Sequence, residues 1–154
     1  MGLEIERKFL PASDDWRSVA EPGQDYRQGY LSTDPDRTVR VRVVGDRAWL
    51  TIKGRGLLSR VELEYPIPVG DAFVLFGLCA QPPIEKVRYR VPIEGHVFEI
   101  DEFLGAHAGL VLIEVELSSE DEAFPRPAWL GREVTGDGRY SNSWLSEHPG
   151  VPTP

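Results

Sequence analysis

Charged residues fall at every second position through seven short stretches of this chain, with apolar residues between them, and Leu3-Glu4-Ile5-Glu6-Arg7-Lys8-Phe9 sets the pattern. Side chains along a strand alternate faces with a period of 2, so Glu4, Glu6 and Lys8 share one face while Leu3, Ile5 and Phe9 lie mostly on the other. The pattern recurs at Arg40 and Arg42 between Val39, Val41 and Val43, at Lys53 after Ile52, and at Glu62 and Glu64 among Val61, Leu63 and Tyr65. It returns at Lys86, Arg88 and Arg90, at Glu99 and Asp101, and at Glu114 and Glu116. These faces together carry seven cations and eight anions. Strands with one apolar face must bury it against another layer. If the strands share a sheet, the charged face is either washed by water or turned inward as an ion-binding cavity.

Strand signals dominate the rest of the chain. Glu4 to Leu10, Tyr26 to Ser32, Arg37 to Val44, Ala48 to Lys53, Arg60 to Ile67, Ile84 to Pro92, Val97 to Phe103 and Leu112 to Leu117 alternate or are rich in Val, Ile and Tyr. Eight strands are enough to close a barrel, and turn residues such as Gly45-Asp46 and Glu94-Gly95 favour antiparallel hairpins between them. Helices are expected at Asp14 to Ala20, Gly70 to Ala80, Ser118 to Phe124 and Asn142 to Glu147, where they would cover the apolar backs of the strands.

At 154 residues, with 41% hydrophobic and 27% charged residues, the chain suits one globular domain, with disorder confined to its ends. No signal peptide or membrane span is visible, and a lone cysteine, Cys79, agrees with a reducing compartment, so the cytoplasm is the default location. Cys79 sits in an apolar run and reads as a buried structural thiol. A net charge of -8 repels nucleic acid and anionic membranes, so an anionic ligand must be held by a local basic site.

Two pictures remain open: a sheet with its charged face in water, or a closed barrel with a charged tunnel. Cations and anions cluster by strand instead of mixing, and Glu4/Glu6, Glu62/Glu64 and Glu114/Glu116 come as Glu-x-Glu pairs, both of which point inward. A tunnel lined by many cations needs a dense anion, because each charge taken out of water costs several kcal/mol without partners. Arg matches phosphate with its planar fork, and Lys adds a compact charge, so a linear polyphosphate fits such a row. Carboxylates beside phosphate are reconciled by Mg2+ or Mn2+, hard cations that bridge both sets of oxygens. Metal-dependent phosphoryl transfer is the chemistry this combination suits.

Glu4-Ile5-Glu6-Arg7-Lys8-Phe9 resembles the opening Glu-x-Glu-x-Lys motif of the CYTH superfamily, the triphosphate tunnel metalloenzymes. Gln28-Gly29-Tyr30-Leu31, Val39-Arg40-Val41-Arg42, Thr51-Ile52-Lys53-Gly54, Ser59 to Glu64, Glu85 to Tyr89, Phe98 to Asp101, Leu112 to Glu116, Arg132 to Thr135 and Arg139 to Asn142 resemble further segments in family order, over about residues 2 to 145. The resemblance implies a mainly β (α+β) fold, an eight-stranded antiparallel β-barrel tunnel with a few covering helices. Residues 1–148 would form this single domain, with 149–154 a flexible tail. Lys8, Arg40, Arg42, Lys53, Lys86 and Arg88 would grip phosphate oxygens, while Glu4, Glu6, Glu62, Glu64, Glu114 and Glu116 would hold one or two metal ions, with Asp101 a weaker candidate. Short bacterial members place a Lys and a Tyr at the reacting phosphate, and the matching residues here are Lys8 and Tyr30.

The expected function is hydrolysis of inorganic tripolyphosphate, a small-molecule substrate, by water attack on a terminal phosphoryl group. The alternatives are thiamine-triphosphatase, nucleoside triphosphatase or class IV type adenylate cyclase activity, a non-enzymatic polyphosphate-binding module, and a structural all-β protein. A homodimer is compatible with the sequence. Because the metal ligands must be ionised, activity is expected at neutral to alkaline pH. His96, His107 and His148 lack the spacing of a zinc site, and the glycines form no phosphate loop before a helix.

Overall fold

Hydrogen bonding closes the alternating segments into a ring. The computed structural model describes residues 2–153, so Met1 and Pro154, the outer ends of the expected domain and tail, lie outside the described residues. The strands are β1 (Gly2–Pro11), β2 (Gln24–Ser32), β3 (Thr38–Val44), β4 (Arg47–Lys53), β5 (Ser59–Ile67), β6 (Ile84–Ile93), β7 (His96–Phe103) and β8 (Val111–Glu116). Their order is β5-β4-β3-β2-β6-β7-β8-β1, and β5 pairs back onto β1, giving a closed antiparallel barrel. Closure falls on β1, whose first half pairs with β5 (Glu4 opposite Arg60) and whose second half pairs with β8 (Lys8 opposite Glu114). The β6–β7 hairpin turns at Glu94 and Gly95, with φ of 47° and 82°, the positive pair that matches strand twist in a two-residue loop.

Closure sends one face of every strand inward, and the apolar backs then need cover. Helix α1 (Val69–Phe76) lays Ala72 onto Val41, Val43 and Ala48. The backs of β1, β6, β7 and β8 bury Ile5, Phe9, Val91, Phe98, Ile100, Ile113 and Val115 with Trp16 and Trp129. A third cluster lies inside one end of the barrel, where Tyr30, Ile84, Phe103 and Leu112 meet Tyr140 and Leu145. Leu145 belongs to α2 (Asn142–Glu147), which Ser141 caps by accepting from the Trp144 N–H at 3.3 Å. Its complete burial contributes roughly 1.5–3 kcal/mol to keeping α2 across that end.

Local details depart from expectation. Asp14 to Ala20 holds only a 3-10 turn, Asp15–Ser18, and α1 stops at Phe76 instead of Ala80. Ser118 to Phe124 is not helical. Instead the Glu122 carboxylate accepts from the Ser118 N–H at 2.6 Å, while Phe124 reaches Phe9 and Phe98 edge to face. A ninth strand, β9 (Leu130–Glu133), pairs with the end of β1 outside the ring. Gly131 permits that approach, since a Cβ there would lie 2.6 Å from the Leu10 carbonyl oxygen. Beyond α2, the Gly150 N–H donates to Ala106 and the Thr153 carbonyl accepts from Arg139. No described helix is long and apolar enough to cross a membrane.

Candidate active site in the barrel interior

A closed barrel with period-2 strands gives every alternating charge one destination. Lys8, Tyr30, Arg40, Arg42, Lys53, Lys86, Arg88, Glu4, Glu6, Glu62, Glu64, Glu114 and Glu116 all line one internal cavity of about 210 Å³. The choice between a solvated face and a tunnel is thereby decided for the tunnel. Asp101, the weaker candidate, stands behind the cavity wall and does not line it.

One side of the interior is basic. Lys86 and Asp101 are 0% exposed and 2.6 Å apart, and Arg88 forks onto the same carboxylate at 2.7 and 2.8 Å. Burial pushes the Asp101 carboxyl up, but Arg88 and Lys86 outweigh it and hold the group at about 2. Lys86 is drawn down to about 7, chiefly by burial and then by Arg88 and Arg42, against the pull of Asp101. Burial, followed by Arg40 and Arg88, brings Arg42 to about 9. Arg42 and Arg88 flank the Tyr26 ring at 5.0 and 4.8 Å, so the ring's negative faces offset part of this crowding. Arg88 also reaches Glu99 at 3.3 Å and Glu114 at 3.8 Å, whereas Arg42, crowded by Arg40 and Arg88, makes no ion pair among the described residues and is the cation a dense anion would relieve.

The other side is acidic. Lys53 reaches Glu4 at 3.0 Å and Glu62 at 3.3 Å, Arg60 reaches Glu4 at 3.2 Å, and Arg40 lies 3.7 Å from Glu64. Burial raises the Glu4 carboxyl, but Lys53, a hydrogen bond with Glu62 and Arg60 prevail and set it at about 2. Glu114 is likewise held well below the usual range, with Lys8 and Arg88 overcoming its burial. Glu6 behaves in the opposite way: burial, then the charges of Glu114 and Glu4, drive its carboxyl well above the normal range. Glu62 is raised by burial and Glu4, and Glu116 by burial, Glu4 and Glu99. Glu6 faces Glu116 across β1 and β8, and neither makes an ion pair among the described residues.

These oxygens suit a hard divalent cation. Like-charged carboxylates that hold protons by mutual repulsion can exchange them for a metal, and the donor set is all oxygen. Among the described residues no three His, Cys, Asp or Glu side chains already converge as a metal cage; Lys53 and Arg60 hold Glu4 and Glu62, Arg40 lies by Glu64 and Arg88 by Glu114.

Four further polar residues take part. Arg60 and Thr51 share faces with Glu62 and Lys53, so the same period-2 reading identifies them; Thr51 donates to Glu64 at 3.1 Å and accepts from Arg40 at 3.2 Å. Gln28 and Asn142 carry no charge and gave no comparable signal. Gln28, fully buried, accepts from Arg42 at 3.0 and 2.8 Å, and Asn142 accepts from Lys86 at 3.0 Å. At the end away from α2 the interior continues into a recess of about 670 Å³ that includes Gln24, Tyr26, Arg47 and Trp49.

Known proteins share this frame. The profile of the CYTH domain matches residues 2–141. An inorganic triphosphatase of Acetivibrio thermocellus is 52% identical over 151 residues, 97% of this chain and 96% of that protein. An inorganic triphosphatase of Nitrosomonas europaea is 43% identical over 149 residues, 93% and 96% of the two chains. The solved structure of an inorganic triphosphatase superposes with a TM-score of 0.63 at 37% identity, covering 92% of this chain and 96% of that one. A putative adenylyl cyclase from Hippeastrum, with a TM-score of 0.55 at 16% identity over 77% of this chain and 80% of its own, shares the fold alone.

Proposed function

The chain belongs to the CYTH domain family, and from that footing we propose that it is a metal-dependent triphosphatase that hydrolyses inorganic tripolyphosphate to orthophosphate and pyrophosphate. One observation carries the reading: one internal cavity brings a group of buried cations and a crowd of carboxylates together. Two relatives similar over nearly the whole chain are inorganic triphosphatases, which supports the same substrate.

Arg40, Arg42, Lys86 and Arg88, with Lys53, hold the phosphate oxygens and fix the chain in line for attack, the main requirement in phosphoryl transfer. Glu4, Glu6, Glu62, Glu64, Glu114 and Glu116 hold one or two ions of Mg2+ or Mn2+. A bound divalent ion supplies charge neutralisation at the phosphate oxygens and a more acidic water. Glu6, whose carboxyl is driven well above the usual range by burial and then by Glu114 and Glu4, would orient the attacking water and take its proton. As water adds to the terminal phosphorus, the bridging P–O bond breaks and its electrons leave on pyrophosphate, where Lys8 and the Tyr30 hydroxyl stabilise or protonate the departing oxygen. The substrate is a free small-molecule triphosphate, the working unit is the single domain of residues 1–148, and the compartment is the cytoplasm.

A second reading is favoured by the recess holding Trp49 and Tyr26, which would receive the organic group of ATP or thiamine triphosphate. The test is phosphate release from tripolyphosphate, ATP and thiamine triphosphate with Mg2+, with Mn2+ and with chelator, using Glu6→Gln as control. Metal-dependent release fastest on tripolyphosphate, reduced about a hundredfold or more in Glu6→Gln, is expected. Absence of release from every substrate by the folded wild type would leave a binding module in its place.

A further inference from the structure

Two obligate donors determine the direction of every hydrogen bond in the network beside the plugged end of the barrel. Arg42 can only donate, so the Gln28 atom receiving its Nε and terminal N–H at 3.0 and 2.8 Å is Oε1. The Gln28 amide nitrogen then points the other way, 2.8 Å from Asn142 Oδ1 and 3.2 Å from the Tyr30 hydroxyl oxygen. Lys86 Nζ donates to the same Asn142 oxygen at 3.0 Å while it holds Asp101 at 2.6 Å. The assignments made independently from Arg42 and from Lys86 agree.

The network leaves two donors over. Asn142 Oδ1 is occupied from both sides, whereas its Nδ2 has no hydrogen-bond partner among the described residues, and Asn142 lines the cavity. The Tyr30 hydroxyl oxygen accepts from Gln28 and keeps its own proton for another acceptor. Gln28 uses its full capacity, two accepted bonds and two donated ones, at 0% exposure. A buried amide is costly unless satisfied, and an apolar side chain would serve packing alone. Asn142 itself is held in place, because Leu145 packs into the end cluster and His107 Nε2 donates to the Leu145 carbonyl at 2.7 Å.

We propose that Asn142 is a substrate-binding residue that offers its Nδ2 donors to a phosphate oxygen, and that Gln28 is the positioning residue that aims Asn142, Arg42 and Tyr30 together. The inference rests on the reading of the cavity as a triphosphate site. It gives the C-terminal helix a direct part in binding, beyond covering the barrel end. A neutral donor suits that place, where three buried cations already crowd one another.

The experiment measures tripolyphosphate affinity calorimetrically in chelator for the full chain, for Asn142→Ala, for Gln28→Ala and for the double variant, with KM and kcat then taken in Mg2+. Asn142→Ala is expected to weaken binding about tenfold and to raise KM more than it lowers kcat. Gln28→Ala should weaken binding at least as much, and the double variant no further, because Gln28 acts through Asn142. Gln28→Glu, which still accepts from Arg42 but cannot donate to Tyr30, should lower kcat. If an alanine variant fails to fold, Asn142→Ser and Gln28→Glu carry the same comparison. Folded variants that bind within twofold of wild type, or losses that multiply as independent, would overturn the proposal. A wild type that binds tripolyphosphate without hydrolysing it defeats the hydrolase reading while these affinities still decide this one; a wild type that does not bind overturns both.

Discussion

The dry cluster of Lys86, Arg88 and Asp101 and the carboxylate crowd of Glu4, Glu6, Glu62 and Glu116 arise from the same alternation on neighbouring walls of one barrel, yet they balance charge by different means. Asp101 is paired twice with protein cations at 2.6 and 2.7 Å and has no exposure. In the acidic crowd, Lys53 is shared between Glu4 and Glu62, Arg60 joins it on Glu4, and burial with the charges of Glu114 and Glu4 raises the Glu6 carboxyl. The first cluster is complete within the protein and fixes cations for an anion. The second is incomplete, since Glu6 and Glu116 make no ion pair among the described residues.

Removing the counter-ion from the complete cluster gives the largest expected effect. Asp101→Ala strands Lys86 as a buried cation with no other ion-pair partner among the described residues and leaves Arg88 to Glu99 and Glu114, which costs about 3–5 kcal/mol. The melting temperature should fall by roughly ten degrees. Added tripolyphosphate should restore part of the loss, because the ligand replaces the lost negative charge. A melting temperature within about two degrees of wild type would mean that water already neutralises these cations, and the contrast between the two walls would collapse.

Acid titration separates the walls without mutation. Asp101 and Glu4 have depressed pKa values of about 2, so their stabilisation is present above the ordinary carboxylate range and is lost as pH falls toward 2. Glu6, Glu62 and Glu116 are raised, so their contribution is present at low pH and is lost as pH rises above the ordinary range. Lys86, depressed to about 7, destabilises while protonated, and that penalty lifts only above about pH 7. In chelator the melting temperature should therefore decline between about pH 5 and pH 7, and Mg2+ should remove or reverse the decline by replacing the shared protons. A chelated protein that grows steadily more stable across this window would contradict the crowding of the acidic wall.

Much of this contrast was legible in the sequence, because charge at alternate positions survives any change of strand length. All eight barrel strands appear, although β1 extends from Gly2 to Pro11 beyond the expected Glu4 to Leu10. Closure was not decided by alternation alone: the resemblance implied a closed barrel, but the pairings that close it, Glu4 opposite Arg60 and Lys8 opposite Glu114, join segments far apart in the chain and neither pattern nor resemblance gave them. The four residues of β9 carry no periodic signal and are strands only because β1 offers them an edge. Ser118 to Phe124 has a good helix start, but the Glu122 carboxylate closes onto Ser118 and Phe124 is drawn into an aromatic cluster. Gln28 and Asn142 stayed hidden because a neutral amide gains its role from the donors that surround it, Arg42 and Lys86, and sequence spacing does not reveal those.

The smallest effect tests the incomplete wall from within. Glu62→Gln removes one negative charge, as Asp101→Ala does, but from a place where burial and Glu4 already disfavour that charge. Lys53 keeps Glu4 at 3.0 Å, so no cation is stranded. Glu62 is also partly exposed, and water screens what remains, which limits the change to about 1 kcal/mol or less. In chelator the melting temperature should stay within about three degrees of wild type or rise slightly. The gain on adding Mg2+ should shrink, since a neutral amide is a poorer ligand than a carboxylate. Equal losses for Glu62→Gln and Asp101→Ala would mean that Lys53 depends on both carboxylates, making this wall as self-contained as the other and leaving no charge deficit for a metal to fill.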